Sequence, residues 1–435
     1  MNTIKNKPCC LYVIENASVW SQHRDPIVLD LLIKDGRLLQ MKSRIDFDGT
    51  RIDAKGCVLL PCGVDAQTHL RVPGQSQKET PETGLLAALR GGYSAILTMP
   101  NTRPTIDSPK ILKQGQDEVR PFEEKYGISV FWSAAITKNL DSSDLTDLED
   151  LVKAGAIAFT NDGLGVNDDH VMAQAFSKLE LLGVPLLQHA EFLGHGGSLA
   201  PGPIQRSVEA KPYPEEPEWK MVERDLRELR KYPKARYHVL HISSARTLDC
   251  IRAAKYDGLN VTAEVSPHHL YFNNETITSD NLSFKMNPPI RSKEDQKALW
   301  EALIDGTIDF VSTDHAPHEE NKKIGAVETA AFGTLGLETT LKVLIAAWMD
   351  RKITPQRLVQ VFAKNPAKFL NLDKGFGELK LGAPFHAALV DVNAGSNVFS
   401  ADDISSLSKN SCFIGQSLPG KILGAFHKEH FFEFA

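Results

Sequence analysis

The sequence predicts an α/β protein, a (β/α)8 barrel of the TIM type with a small β-sandwich domain built from both chain ends. Three observations carry this. The chain has 435 residues, more than one core comfortably fills. Eight short β-rich runs alternate with longer amphipathic stretches from about Leu60 onward. Short alternating runs without helical stretches fill the first sixty residues and return after about Lys374. An open, doubly wound sheet is the alternative arrangement of the same alternation.

Taken in order, CLYVIENASV, IVLDLLIKDGRLLQM and TRIDAKGCVLL alternate apolar and polar residues, punctuated by Asp35-Gly36 and Asp48-Gly49, as antiparallel strands do. The barrel strands are GVDAQTHL, YSAILTMPN, ISVFWSAAI, AIAFTND, VPLLQHAE, RYHVLHIS, NVTAEVSPHHL and IDFVSTDHAPH. Segments such as TPETGLLAALRGG, DSPKILKQGQDEVRPFEEKY and EPEWKMVERDLRELRKY supply the helices between them. Gly194 to Pro217, rich in Gly, Pro and Ser, reads as a long loop after the fifth strand. GFGELKLG, HAALVDVN and GQSLPGKILGAFHKEHFFEFA are the returning β-runs. The expected domains are therefore residues 1–60 plus 375–435, and residues 61–374.

Composition excludes several function classes. A net charge of −6, from 49 basic and 55 acidic side chains, gives no reason to expect nucleic acid as a partner. No apolar run approaches the roughly 20 residues that span a bilayer, so no membrane role is expected. The basic, apolar start is interrupted at Glu15 and Asn16, a poor secretory signal, and the cytoplasm is the expected compartment. Cys9, Cys10, Cys57, Cys62, Cys250 and Cys412 lack CxxC spacing and read as reduced thiols.

In a barrel of this kind functional residues gather at the C-terminal strand ends. Strand one ends in Asp65, Gln67, His69 and Arg71, which alternation assigns to one face. Later strands end in Asn101, in Asn161-Asp162, in His189 and Glu191, in His241, in His268-His269, and in Asp314, His315 and His318. Imidazoles and a carboxylate on one rim describe a zinc-type site. His23, His195, His427 and His430 read as structural, and so does His238, three residues before His241. Asp65 reads as a group that orients the strand-one site rather than binds metal, and Glu191 and His315 are open between that supporting place and none. The segment from His318 to Phe332 is a candidate lid.

At these residues the chain resembles the two-domain dihydroorotases of the amidohydrolase superfamily. The motifs run in order: DAQTHLRVPG at 65–74, MPNTRPTID at 99–107, AFTNDG at 158–163, QHAE at 188–191, HVLHISSA at 238–245, TAEVSPHHL at 262–270, NPPIR at 287–291, STDHAPH at 312–318 and GLET at 336–339. The resemblance implies reversible interconversion of carbamoyl aspartate and dihydroorotate in pyrimidine biosynthesis, assisted by zinc. It puts His69, His189, His241 and Asp314 on metal-ligand positions, and Asp314 also on the position of the general base and acid. It puts Arg71, Asn101, His318 and Asn287 on substrate-binding positions.

The chain departs from the family pattern D-x-H-x-H-x-R-x-P-G at Gln67, where the first histidine belongs. The bridging ligand of strand four reads as Asn161, with neighbouring Asp162 expected to face away by strand alternation and Lys153 lying before the strand. Both departures replace a strong ligand by a neutral amide, so one zinc ion or none is expected, with His69, His189, His241 and Asp314 converging on it. The leading expectation is a weakly active or non-catalytic homologue acting as partner of aspartate transcarbamoylase, itself a homo-oligomer. A working cyclic amidohydrolase with one metal or an altered pair is the alternative. Action on a hydantoin or allantoin is a third, against which Arg71 and Asn101 weigh.

Overall fold

The structure is a computed structural model that describes residues 4–8, 10–278, 280–372 and 375–434. Cys9 and the expected domain junction at Lys374 lie outside the described residues.

Six strands open the chain: β1 (Ile4–Pro8), β2 (Leu11–Val19), β3 (Ile27–Lys34), β4 (Arg37–Lys42), β5 (Thr50–Asp53) and β6 (Val58–Pro61). Eight follow in the middle: β7 (Gly63–Thr68), β8 (Tyr93–Thr98), β9 (Ser129–Ala134), β10 (Ala156–Thr160), β11 (Leu186–Gln188), β12 (Tyr237–Val239), β13 (Val261–Val265) and β14 (Phe310–Val311). Three close it: β15 (His386–Val398), β16 (Ser417–His427) and β17 (His430–Phe434).

Strands β7 to β14 form one parallel sheet in sequence order, and all eight lie in the runs expected of a barrel. Closure is made by a parallel bridge between Thr68 and His315, with the His69 amide donating to the His315 carbonyl at 2.9 Å. The strand residues sort by phase. Val64, Ala66, Ala95, Leu97, Ala158, Leu187 and Phe310 fill the barrel interior. Ile96, Val130, Phe159, Leu186, Tyr237, Val239 and Val265 face the belt of helices. The helices start where their caps dictate. Thr80 accepts from the Thr83 amide and Pro81 opens Pro81–Arg90, a position at which its missing amide costs nothing.

The terminal strands form a nine-stranded sheet in the order β1-β17-β16-β15-β6-β2-β3-β4, with β5 beside β2. Tyr12 of β2 stacks on Phe426 of β16 with ring centroids 6.0 Å apart. In a flat sheet these strands, three steps apart, would be separated by about 14 Å. The sheet is therefore folded over its own apolar core of Tyr12, Leu31, Leu59, Leu389 and Phe426, which gives the sandwich-like unit from both chain ends.

Two local expectations are corrected. Gly375–Gly382 forms turns and no strand. Gly375 and Gly377 have φ of +96° and +72°, and a Cβ there would meet the Pro384 and Ala363 carbonyl oxygens at 2.4 and 2.5 Å, so the glycines break the extended run. The Gly194–Pro217 loop carries a short helix, Pro203–Ser207, and ends inside the helix Glu216–Leu229. Among the described residues Cys10, Cys57, Cys62, Cys250 and Cys412 are unpaired, and no helix is long and apolar enough to cross a membrane.

Candidate metal centre and active site

The site lies at the C-terminal ends of the barrel strands, and its centre is Asp162. Phase explains why. Ala158 points into the barrel and Phe159 toward the helices, so the alternation carries Asp162 inward and Asn161 outward. Asp162 is 2% exposed. Its Oδ2 lies 3.2 Å from His69 Nε2, and its Oδ1 lies 3.5 Å from His189 Nδ1 and 3.7 Å from His241 Nε2. Gln67 Nε2 donates to the same Oδ1 at 3.2 Å.

Asn161 is thus not the bridging residue, contrary to the reading of the sequence. Its Oδ1 accepts from the Ile136 and Thr137 amides at 3.1 Å each, and its Nδ2 donates to Thr137 Oγ1 at 2.7 Å. It ties β10 to the segment after β9. Nor do the four expected ligands surround one point. His189 and His241 stand on one side of Asp162, with Nδ1 and Nε2 2.9 Å apart. His69 stands on the other, with Nε2 3.1 Å from Asp314 Oδ1.

The donor set fits a metal ion. The ligand atoms of Asp162, His189 and His241 lie within 4.8 Å of one another, all buried. Three such donors with a fourth position free match a catalytic zinc. His69 Nε2 faces two carboxylates, and one ring proton cannot serve both. Asn101 Oδ1 lies 2.9 Å from His69 Nδ1 and accepts from it, which fixes the ring with Nε2 toward the two carboxylates. Charge points the same way. Burial opposes ionisation of Asp162, but hydrogen bonds from His189 and His241 and the nearby His69 hold its carboxyl well below the usual range. Burial lowers the His189 imidazolium, yet Asp162 and Glu191 outweigh it and raise it to about 10. The cluster is built to hold positive charge. Gln67 is a fully buried amide that donates to the oxygen shared by His189 and His241, and its Oε1 has no hydrogen-bond partner among the described residues.

Beside this cluster sits a basic wall. Arg71 Nε donates to the Pro317 carbonyl at 3.2 Å, and one terminal nitrogen donates to His318 Nε2 at 3.3 Å. Burial draws the Arg71 guanidinium down to about 10 against the pull of Asp314 and Asp162, so it stays cationic at neutral pH. Burial and the Arg71 charge keep His318 neutral, and its Nδ1 is unpartnered. Asn287 Nδ2 donates to Glu191 Oε2 at 2.6 Å and lies 3.2 Å from His189 Nε2. All the sequence-predicted residues except Asn161 thus meet at one mouth. Asn101 spends its amide on protein groups, with Nδ2 also donating to the Asp162 carbonyl at 3.3 Å.

Other groups take supporting places. Asp65 does not share the face of Gln67 and His69. The register of β7 shifts between Asp65 and Thr68, and Asp65 instead accepts from the Thr313 amide at 2.8 Å and its hydroxyl at 2.6 Å. His238 lies inside the barrel, stacked on Phe310 with Nδ1 2.8 Å from Thr262 Oγ1. Glu191 Oε2 lies 3.3 Å from His189 Nε2, and His315 Nε2 lies 3.4 Å from Glu79 Oε2. Arg71, His241 and Asp314 adopt φ of 60°, 30° and 45°, the left-handed region that non-glycine residues rarely enter. Each costs on the order of 1–3 kcal/mol and is held by its surroundings, a mark of functional positions.

A barrel whose strand ends gather imidazoles and carboxylates around a central buried aspartate has the donors of a metal-dependent hydrolase scaffold. A family model described as dihydro-orotase-like matches residues 56–245. The dihydroorotase of Elusimicrobium minutum is 39% identical over 419 residues, covering 94% of this chain and 95% of that one. The dihydroorotase of Pediococcus pentosaceus is 36% identical over 417 residues, covering 94% and 96%. The chain belongs to the dihydroorotase family. Its fold is also that of the L-hydantoinase of Arthrobacter aurescens, at a TM-score of 0.82 and 23% identity over 95% of this chain and 94% of that one. The D-hydantoinase of a Thermus species superposes at a TM-score of 0.83 and 21% identity, over 97% and 94%.

Proposed function

We propose that the protein interconverts dihydroorotate and carbamoyl aspartate in the cytoplasm, with one zinc ion held firmly by Asp162, His189 and His241. The carrying observation is the Asp162 carboxylate set between His69 on one side and His189 and His241 on the other. A bound zinc ion supplies polarisation of the ring carbonyl and a lowered pKa for water. In this reading residues 61–374 form the catalytic domain, and residues 1–60 with 375–435 the flanking one.

The chain's own groups do the rest. Arg71 offers a planar fork to the substrate carboxylate. The free Nδ1 of His318 and the free Oδ1 of Asn287 offer polar contacts to the ring. Asn101 fixes the orientation of the His69 ring through the 2.9 Å contact to Nδ1. Asp314 accepts a proton from the attacking water and returns it to the departing ring nitrogen. Gln67, a neutral amide that donates to Asp162 Oδ1, makes the centre weaker than an imidazole in its place would.

Gln67 also supports a second reading, that of a non-catalytic subunit assembled with aspartate transcarbamoylase. Zinc analysis beside a dihydroorotate assay on the same sample decides between them. Turnover with about one firmly bound zinc supports the catalytic reading. Inert protein at full zinc loading refutes it, and co-sedimentation with the cognate transcarbamoylase then supports the other.

A further inference from the structure

Residues between β15 and β16 leave the terminal sheet and cross to the barrel mouth. The excursion is pinched at its base, where the Phe399 and Gln416 region closes through Phe399 N to Gln416 O and Gly415 N to Phe399 O, each 2.8 Å. At its far end sits Asn410, 6% exposed. Its Oδ1 accepts from the His318 amide at 3.0 Å. Its Nδ2 donates to the Ala316 carbonyl at 3.0 Å and the Gly333 carbonyl at 3.2 Å. Its own carbonyl accepts from Leu335 N at 3.3 Å and Thr334 Oγ1 at 3.2 Å. Every hydrogen-bonding group of the side chain's two ends is thus directed at the two segments that frame the mouth.

We propose that Asn410 is a positioning residue for the substrate end of the pocket: it clamps the loop that carries His318 against Gly333, and through His318 it sets Arg71. The inference rests on the reading of this mouth as a dihydroorotate site. Three features argue for it. The Ala316–His318 stretch has no regular structure of its own, so its backbone groups depend on outside partners. Among the described residues the Arg71 guanidinium makes its hydrogen bonds to this stretch, through the Pro317 carbonyl and the His318 ring. Gly333 approaches so closely that a Cβ would lie 2.7 Å from Ala316 Cβ and 3.4 Å from His318 Cδ2, so the clamp works on a fitted contact. An asparagine is required because one end must accept and the other donate twice. The same excursion reaches Glu79 through the Leu407 amide at 2.9 Å, and Glu79 faces His315, the residue after Asp314. The flanking domain therefore supports the active mouth from outside the barrel.

The test compares wild type, Asn410→Ala and Asn410→Asp, each assayed for dihydroorotate turnover, zinc content and amide exchange across residues 315–335. Asn410→Ala is expected to raise KM about tenfold, with kcat within about threefold and zinc content unchanged, since one clamp of buried hydrogen bonds is lost and no ligand. Exchange of the His318 amide rises about tenfold. Asn410→Asp keeps the acceptor but turns an oxygen on two carbonyls, so it does not rescue KM, and it replaces the alanine variant if that one fails to fold. An unchanged KM, or KM, kcat and zinc content changing together, overturns the proposal. If wild type binds zinc but shows no turnover, the functional reading fails on its own. Exchange then decides the clamp, and unchanged protection of His318 overturns it.

Discussion

The zinc content should respond to positions 67 and 162 and be indifferent to position 161. Asp162→Asn removes one negative charge from the centre of the cluster while keeping its shape. A unit charge at about 4 Å and an effective dielectric near 20 contributes about 4 kcal/mol. Against a divalent ion the loss is therefore at least about a thousandfold in affinity. Asn161→Asp is the opposite change one residue away. Its carboxylate keeps the two backbone donors at 3.1 Å, from Ile136 and Thr137, and loses the 2.7 Å donation to Thr137 Oγ1. It should cost about 1–3 kcal/mol of stability and leave zinc unchanged. Gln67→His puts an imidazole beside His69 and Asp162, and should add a second firmly bound ion. The assays are elemental analysis after dialysis, zinc titration calorimetry and urea unfolding. A zinc count raised by Asn161→Asp, or left intact by Asp162→Asn, would refute the assignment of the centre to Asp162.

Asp314→Asn should abolish dihydroorotate turnover while the Asp162, His189 and His241 donors keep their zinc, read by steady-state rate and metal content together. Arg71→Lys should raise KM by about tenfold or more with a smaller effect on kcat, because a point ammonium cannot reproduce the fork or its contacts to Pro317 and His318. Stability should fall in mild acid through the buried pair His386 and His427, whose Nδ1 atoms lie 3.2 Å apart in the terminal sheet. Burial holds His386 down at about 4, and burial with His386 alongside holds His427 well below its usual value. Both are neutral when folded and protonate near pH 6.5 when unfolded, so their contribution is complete above about pH 6.5 and is lost as pH falls toward 4. The slope is about 1.4 kcal/mol per pH unit per histidine. Urea unfolding across this range checks it, and His386→Gln should remove about half of the slope.

The barrel was legible because its strands repeat one local pattern eight times, and every expected run contains the strand. The terminal sheet was legible from its short β-rich runs, with partners far apart in sequence, although β6 is buried at all four of its residues and does not alternate. Where local pattern and long-range contact disagree, the sequence misleads. GELKL alternates as a strand does, yet Gly375 and Gly377 adopt positive φ, and the Pro384 and Ala363 carbonyls that leave no room for a Cβ there are in no local reading. Asn410 and Glu79 lie outside the barrel strands altogether, and their partners at 316–318, 333 and 315 are joined to them only by the fold.

The metal cage shows what a single error of phase does. Alternation assigns a side chain to one face only once the strand's phase is known, and a one-residue slip exchanges the faces. In β10 the phase was available from the small Ala158, which suits a barrel interior, against the bulky Phe159, which suits the helix belt. Reading on from Ala158 gives Asp162 as the inward residue. In β7 the same counting from Val64 and Ala66 would turn Gln67 and His69 outward, and it fails because the register shift between Asp65 and Thr68 restores them to the mouth. The bulge was not visible in the sequence. The two cases together change the chemistry inferred. With Asn161 as the bridge, two ligands are lost and neither half of the centre can be complete. With Asp162 at the centre, the departure that remains is Gln67, whose Nε2 donates to the oxygen Asp162 turns toward His189 and His241. His189 and His241 both stand beside Asp162 with their ligand atoms close enough to share an ion, and that surviving donor set is what supports the proposed catalytic reading over the non-catalytic one.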